Sequence, residues 1–120
     1  MQIKYQTKMT AVGKDAPTYL SSNNSFILIN EKIRPALSDM VVEHGVAELT
    51  ADIVVGDKLK VGKSEFEVVT VGENVNKNLR DEGHCTIVVN AVATMPGQVA
   101  VKGVRPPRLR FGNDIIFYAE

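Results

Sequence analysis

The sequence predicts an all-β fold: a small closed or nearly closed barrel of six to seven strands with one short helix, with residues 1–120 forming a single domain. Three observations lead there. Polar and apolar residues alternate at the start of the chain, glycine-led turns cut most of the remainder into short apolar runs, and only one segment has helical spacing followed by a stop signal. A chain of 120 residues has room for one core, and closing short strands into a barrel removes the exposed edges they would otherwise present.

Taken in order, Ile3, Tyr5, Thr7, Met9 and Ala11 alternate with Lys4, Gln6, Lys8 and Thr10, the period of a half-buried strand, which Gly13 ends. Residues 21–25 are all Ser and Asn and read as turn. The run Phe26-Ile27-Leu28-Ile29 is a short buried strand. Pro35 removes a backbone donor and biases Arg34 toward extended geometry, so residues 31–39 are expected to be loop or a single helical turn. Val41 and Val42 begin a strand that carries His44 and continues, past a possible bulge at Gly45, through residues 46–51. A hairpin follows, with Leu59 and Val61 on one arm, Phe66, Val68 and Thr70 on the other, and Gly62-Lys63 as the two-residue connection. After Gly72 the spacing of Val75 and Leu79 marks the one helix, decorated by Lys77 and Arg80 and capped by Gly83. Residues 86–92, 98–101 and 114–119 complete the strands, the last after a Gly112-Asn113 turn that echoes Gly56-Asp57.

Composition narrows the function classes. Fourteen basic residues balance fourteen acidic ones, so global charge gives no support to a nucleic-acid or anionic-membrane partner, which would need a basic surplus. A local surplus exists at Lys102, Arg105, Arg108 and Arg110, in a proline-containing stretch that reads as a solvated loop or as an anion-binding patch. The lone Cys85 has no partner for an internal disulfide, and the N-terminus lacks the apolar run of a signal peptide; a cytoplasmic location is expected. No segment approaches the roughly 20 apolar residues of a membrane-spanning helix, so no direct membrane insertion is expected.

The chain has two histidines, and both stand beside a glycine at the end of a short element. A neutral imidazole offers a nitrogen lone pair at pH 7 without prior activation, and no other nucleophile stands out. His44 and His84 are therefore the candidate catalytic residues. His84 has two readings, as a donor near a reacting group and as a structural group that satisfies the carbonyls at a helix C-terminus. Cys85 reads as a small buried hydrophobe. The spacing of His44, His84 and Cys85 matches no compact zinc motif, so neither metal nor cofactor is expected.

The stretches Ile3-Lys4-Tyr5-Gln6-Thr7, Val42-Glu43-His44-Gly45-Val46-Ala47-Glu48-Leu49, Phe66-Glu67-Val68-Val69-Thr70-Val71-Gly72 and, above all, Asn78-Leu79-Arg80-Asp81-Glu82-Gly83-His84 carry a resemblance. They are similar to the glucitol/sorbitol-specific enzyme IIA component of the bacterial phosphoenolpyruvate-dependent sugar phosphotransferase system, over nearly the whole chain. The resemblance implies a cytoplasmic β-barrel that acts as a phosphotransferase. It would accept a phosphoryl group on a histidine from the phosphocarrier HPr and pass it to the IIB component, which is attached to a membrane (IIC) permease for a polyol. The position matching the phosphorylated histidine is His44. Some relatives carry a second histidine soon after the first, where this chain has Gly45 and Val46.

Such a transfer asks the acceptor for positioning and nearby donors, which His84 or backbone amides around Gly45 could supply. A shared site would require the strand bearing His44 to lie beside the segment leaving the helix at Gly83, with Val42, Val46 and Leu79 as its apolar rim. Glu43 should face away, because adjacent strand residues point to opposite sides. The alternative, from another class, is a non-catalytic barrel module binding an anionic ligand or oligonucleotide through the C-terminal basic stretch. Three tyrosines, four phenylalanines and no tryptophan are few for a base-stacking surface.

Overall fold

The computed structural model describes residues 1–120. Eight strands close into a barrel: β1 (Gln2–Val12), β2 (Ser25–Asn30), β3 (Val42–His44), β4 (Lys58–Val61), β5 (Ser64–Val71), β6 (Cys85–Val89), β7 (Gln98–Lys102) and β8 (Asp114–Ala119). Their order around the barrel is β1-β3-β2-β6-β7-β5-β4-β8, with β8 returning to β1. The all-β barrel is as expected, but it has eight strands rather than six or seven. It also has two helices rather than one, α1 (Ala16–Asn23) and α2 (Val75–Glu82), besides a single 3-10 turn at Pro35–Leu37.

The second helix escaped the sequence reading because its last turn is the Ser/Asn run that also suits a loop. Pro17 sits in its first turn, where a missing N–H costs nothing, and Asn24 ends it in the left-handed region at φ 55° with its N–H on the Leu20 carbonyl. The strand bearing His44 is shorter than expected: it stops at His44, and residues 45–51 run on without regular structure. Those three residues nonetheless close the barrel, since β3 pairs with β1 on one side and β2 on the other.

Strand β1 can serve two neighbours because it is irregular. Register shifts between Ile3 and Tyr5 and between Met9 and Ala11 let its first part pair with β8 and its last part with β3. The same shifts turn Ile3 and Ala11 outward, so only Tyr5, Thr7 and Met9 of the alternating set are buried. A similar shift between Val68 and Thr70 on β5 leaves Thr70 exposed. The β4–β5 hairpin turns at Gly62, with φ 58° as its connection demands. The core gathers Tyr5, Phe26, Leu28, Leu59, Ile87 and Phe117 inside the barrel.

One connectivity occurs twice. In residues 2–44, strand, helix and strand lead through a crossover to a third strand: β1, α1, β2, β3. In residues 64–102 the same series is β5, α2, β6, β7. In each half the second and third strands are parallel and the first and third antiparallel. The halves meet where β2 pairs with β6. Between them, residues 45–57 run beside β1, with the N–H groups of Gly45 and Thr50 on the Lys8 and Lys4 carbonyls and with Leu49 and Ile53 in the core. Lys4 Nζ reaches the Asp52 carbonyl and the Asp57 carboxylate, each at 2.8 Å, and the Asn76 carboxamide of α2 holds the Ile53 backbone through two hydrogen bonds.

Candidate functional site

His44 ends β3 opposite Met9 of β1 and Asn30 of β2. Its side chain is wholly enclosed, at 0% exposure. Tyr5 stands edge-on to the imidazole, with ring centroids 6.0 Å apart and planes at 89°, an arrangement favoured between aromatic rings. Each ring nitrogen lies 2.9 Å from a carbonyl oxygen: Nδ1 from that of Gly45, Nε2 from that of Gly83.

A carbonyl oxygen only accepts hydrogen bonds, so both contacts are satisfied together only when both nitrogens bear protons. In a neutral ring one lone pair faces a carbonyl. Of the two contacts, the one at Gly45 is the better anchored, because the Thr7 hydroxyl also donates to that oxygen, at 2.6 Å, and the Gly45 N–H is held by the Lys8 carbonyl. This bond also removes the Gly45 amide from the donors available to an incoming anion, contrary to the sequence expectation.

The Gly83 carbonyl belongs to the cap of α2. Val75 and Leu79 bury one face of that helix, and Gly83 ends it at φ 62°, with its N–H on the carbonyls of Asn78 and Leu79. A side chain at Gly83 would strike the Asn30 carboxamide and the His44 ring, whose Cε1 would lie 2.7 Å from the new Cβ. Glycine thus serves here for both its conformation and its lack of bulk. The Asn30 carboxamide oxygen is buried and accepts no hydrogen bond.

His84 follows directly, partly exposed, with its backbone N–H on the Asn78 carbonyl at 3.2 Å. Its side chain makes no hydrogen bond to the protein. The corner that leaves α2 therefore does lie against His44, but the group on Nε2 is the backbone of Gly83 rather than the imidazole of His84. Glu43 points away as expected and accepts the Lys32 N–H at 2.7 Å. Of the expected apolar rim only Val46 is exposed, whereas Val42 and Leu79 lie in the core beneath the site. Cys85 is fully buried, and that burial pushes its thiol up to about 12. Burial likewise raises the Tyr5 phenol to about 12, helped by the neighbouring Cys85. Thr7, Asn30 and the carbonyls of Gly45 and Gly83 went unrecognised in the sequence. Only the Gly-His pair at residues 83–84 carried a signal that could have pointed to one of them.

The family described as "PTS system glucitol/sorbitol-specific IIA component" matches residues 4–116. The PTS system glucitol/sorbitol-specific EIIA component of Shigella flexneri is 29% identical over 119 residues, covering 98% of this chain and 96% of that protein. The protein of the same description from Escherichia coli strain K12 matches with the same identity and coverage. Among solved structures, a PTS system IIA component from Enterococcus faecalis V583 shares the fold, with a TM-score of 0.81 at 23% identity over 95% of this chain and 99% of that one. No helix is long and apolar enough to cross a membrane. A match over nearly the whole chain, on a barrel of the same architecture, makes this protein a member of the glucitol/sorbitol-specific IIA component family of the PTS system.

Proposed function

We propose that this protein is a cytoplasmic phosphocarrier that takes a phosphoryl group from phospho-HPr onto His44 and passes it to the IIB component of a glucitol/sorbitol uptake system. The observation that carries this reading is the pair of carbonyl contacts on the His44 ring. With Nδ1–H donated to the doubly anchored Gly45 carbonyl, the lone pair resides on Nε2, which becomes the nucleophile. The Gly83 carbonyl covers that nitrogen, so the α2–β6 corner must draw back before transfer.

Nε2 then attacks phosphorus in line. A new N–P bond forms while the donor's N–P bond breaks, and its electron pair returns to the donor imidazole. The Gly45 carbonyl, still bonded to Nδ1–H, stabilises the positive charge developing on the His44 ring. Asn30, whose carboxamide has an unused oxygen in the resting state, rotates to present its NH₂ to a phosphoryl oxygen. His84, partly exposed and next in the chain to Gly83, would donate from the solvent side. Onward transfer to IIB is the same step reversed against a new acceptor.

Incubation with phosphoenolpyruvate, enzyme I and HPr should load one acid-labile, base-stable phosphoryl group per chain. His44→Gln, checked for folding by circular dichroism, should abolish loading; equal labelling of that variant would sink the assignment and move it to His84. His84→Ala should slow transfer by about 10- to 100-fold, the usual effect of losing one positioned donor, while His84→Gln should be milder. Identical rates in all three proteins with His44 intact would make His84 structural.

A further inference from the structure

The turn of the β4–β5 hairpin and the loop before β8 enclose a cleft of about 740 Å³. Lys63, Arg105, Arg108 and Arg110 line it, together with Asn113 and with Glu65 as the only carboxylate. The sequence patch placed Lys102 in this group, but the structure puts Lys63 there instead. The chain's other two arginines, Arg34 and Arg80, are both committed to ion pairs, with Glu82 and Asp52. None of the four cations in the cleft forms one. Glu65 is itself engaged, accepting the Tyr118 hydroxyl at 3.3 Å.

Four like charges gathered around one carboxylate repel one another, and an anion in the cleft would relieve that repulsion. The loop is not a loose tail. Pro106 and Pro107 fix two backbone angles, Pro107 is buried, and the Asn113 carboxamide donates to the Arg108 carbonyl at 2.9 Å. Binding would therefore order little chain. Few apolar groups and no aromatic side chain line the cleft, so it is suited to charge rather than to a sugar ring or a stacked base. Guanidinium groups from one segment and an ammonium from another, lining the same cleft, suit the spread oxygens of phosphate groups.

We propose that this cleft binds a small anion carrying at least two phosphate-type negative charges, at a site separate from His44. Inorganic pyrophosphate and glucitol 6-phosphate are the probes, titrated into the protein alone while backbone amide shifts are followed by NMR. No phosphotransferase partner is needed, so the outcome is independent of phosphoryl transfer at His44.

Saturable shifts confined to residues 61–65 and 104–114 are expected, with a dissociation constant below about 1 mM at low ionic strength, weakening steeply with salt. Both Arg108→Ala/Arg110→Ala and Lys63→Ala, from different segments of the chain, should weaken binding, the double variant by about tenfold or more. Lys32→Ala/Lys102→Ala removes two unpaired charges elsewhere and should change it by less than about twofold. Stronger binding of glucitol 6-phosphate would assign the site to a phosphorylated polyol, and stronger binding of pyrophosphate to a polyphosphate; either supports it. No saturation by about 10 mM of either probe, or equal weakening in the control variant, overturns the proposal.

Discussion

Gly83→Ala tests the geometry around His44 most directly. A Cβ at a residue with φ 62° forces an L side chain into the left-handed region, at a cost of about 1–2 kcal/mol. The new methyl would also overlap the Asn30 carboxamide, whose Cγ lies 2.7 Å from its position, and press on the His44 Cε1 at the same distance. Overpacking of this kind costs about 1–3 kcal/mol, so the expected loss is about 2–5 kcal/mol. Urea unfolding followed by circular dichroism should show a lower midpoint at an unchanged slope. The two contributions can be separated. Asn30→Ala removes the principal obstruction, and because the Asn30 oxygen bonds to nothing, its loss should itself cost little. The double variant should therefore recover about 1 kcal/mol or more relative to the sum of the single variants, while the cost of the backbone conformation persists. If Gly83→Ala costs less than about 0.5 kcal/mol, or if the two substitutions are additive, then Asn30, Gly83 and His44 are not packed as described.

Two further outcomes concern stability. Lys4 and Asp57 form a buried ion pair at 2.8 Å with side-chain exposures of 8% and 5%, so Lys4→Met should destabilise by about 3–5 kcal/mol by stranding the carboxylate, whereas Lys4→Met/Asp57→Leu should recover most of that in the same urea assay. At high pH, Cys85 and Tyr5 hold their protons in the folded chain up to about 12, against ordinary values of 9.0 and 10.0. The unfolded chain loses those protons first, so their contribution is complete below pH 9 and is lost as pH rises toward 12. Thermal unfolding should show a decline of up to about 7 kcal/mol across that window, about 4 from Cys85 and at most about 3 from Tyr5, and Cys85→Ala should remove the larger share of it. A profile unchanged in Cys85→Ala would show that the thiol is not enclosed.

The sequence made the barrel legible wherever residues alternated or turned sharply. The Gly62 hairpin, the spacing of Val75 and Leu79 and the Gly83 cap all rest on local chemistry and hold in the structure. Less visible was α1, since a Ser/Asn run suits both a helix end and a loop. The early end of β3 was also hidden, because Val46 and Leu49 continue a strand-like pattern after the pairing has stopped. The site divides along the same line. An imidazole is a visible side chain, and His44 could be singled out as one of two. The groups that flank it are mostly backbone carbonyls, which carry no mark of residue type. The contact with Gly83 arises because β2 pairs with both β3 and β6, and no local pattern specifies that ladder. Lys63 likewise joins the arginine loop only through the β4–β8 pairing, far from it in the chain.

The twofold recurrence of strand, helix, strand and crossover gives the His44 site an unusual address. His44, Thr7 and Asn30 come from residues 2–44, and Gly83 and His84 from residues 64–102. The imidazole thus sits at a seam, with its ring on one side and the carbonyl that covers Nε2 on the other. Each half holds its own helix cap and parallel strand pair, yet neither contains the whole arrangement around the imidazole. If His44 Nε2 is the nitrogen that reacts, as proposed, a small shift of one half against the other would bare or bury it. A docking partner that grips both halves would gain control of that nitrogen without ever touching the histidine first.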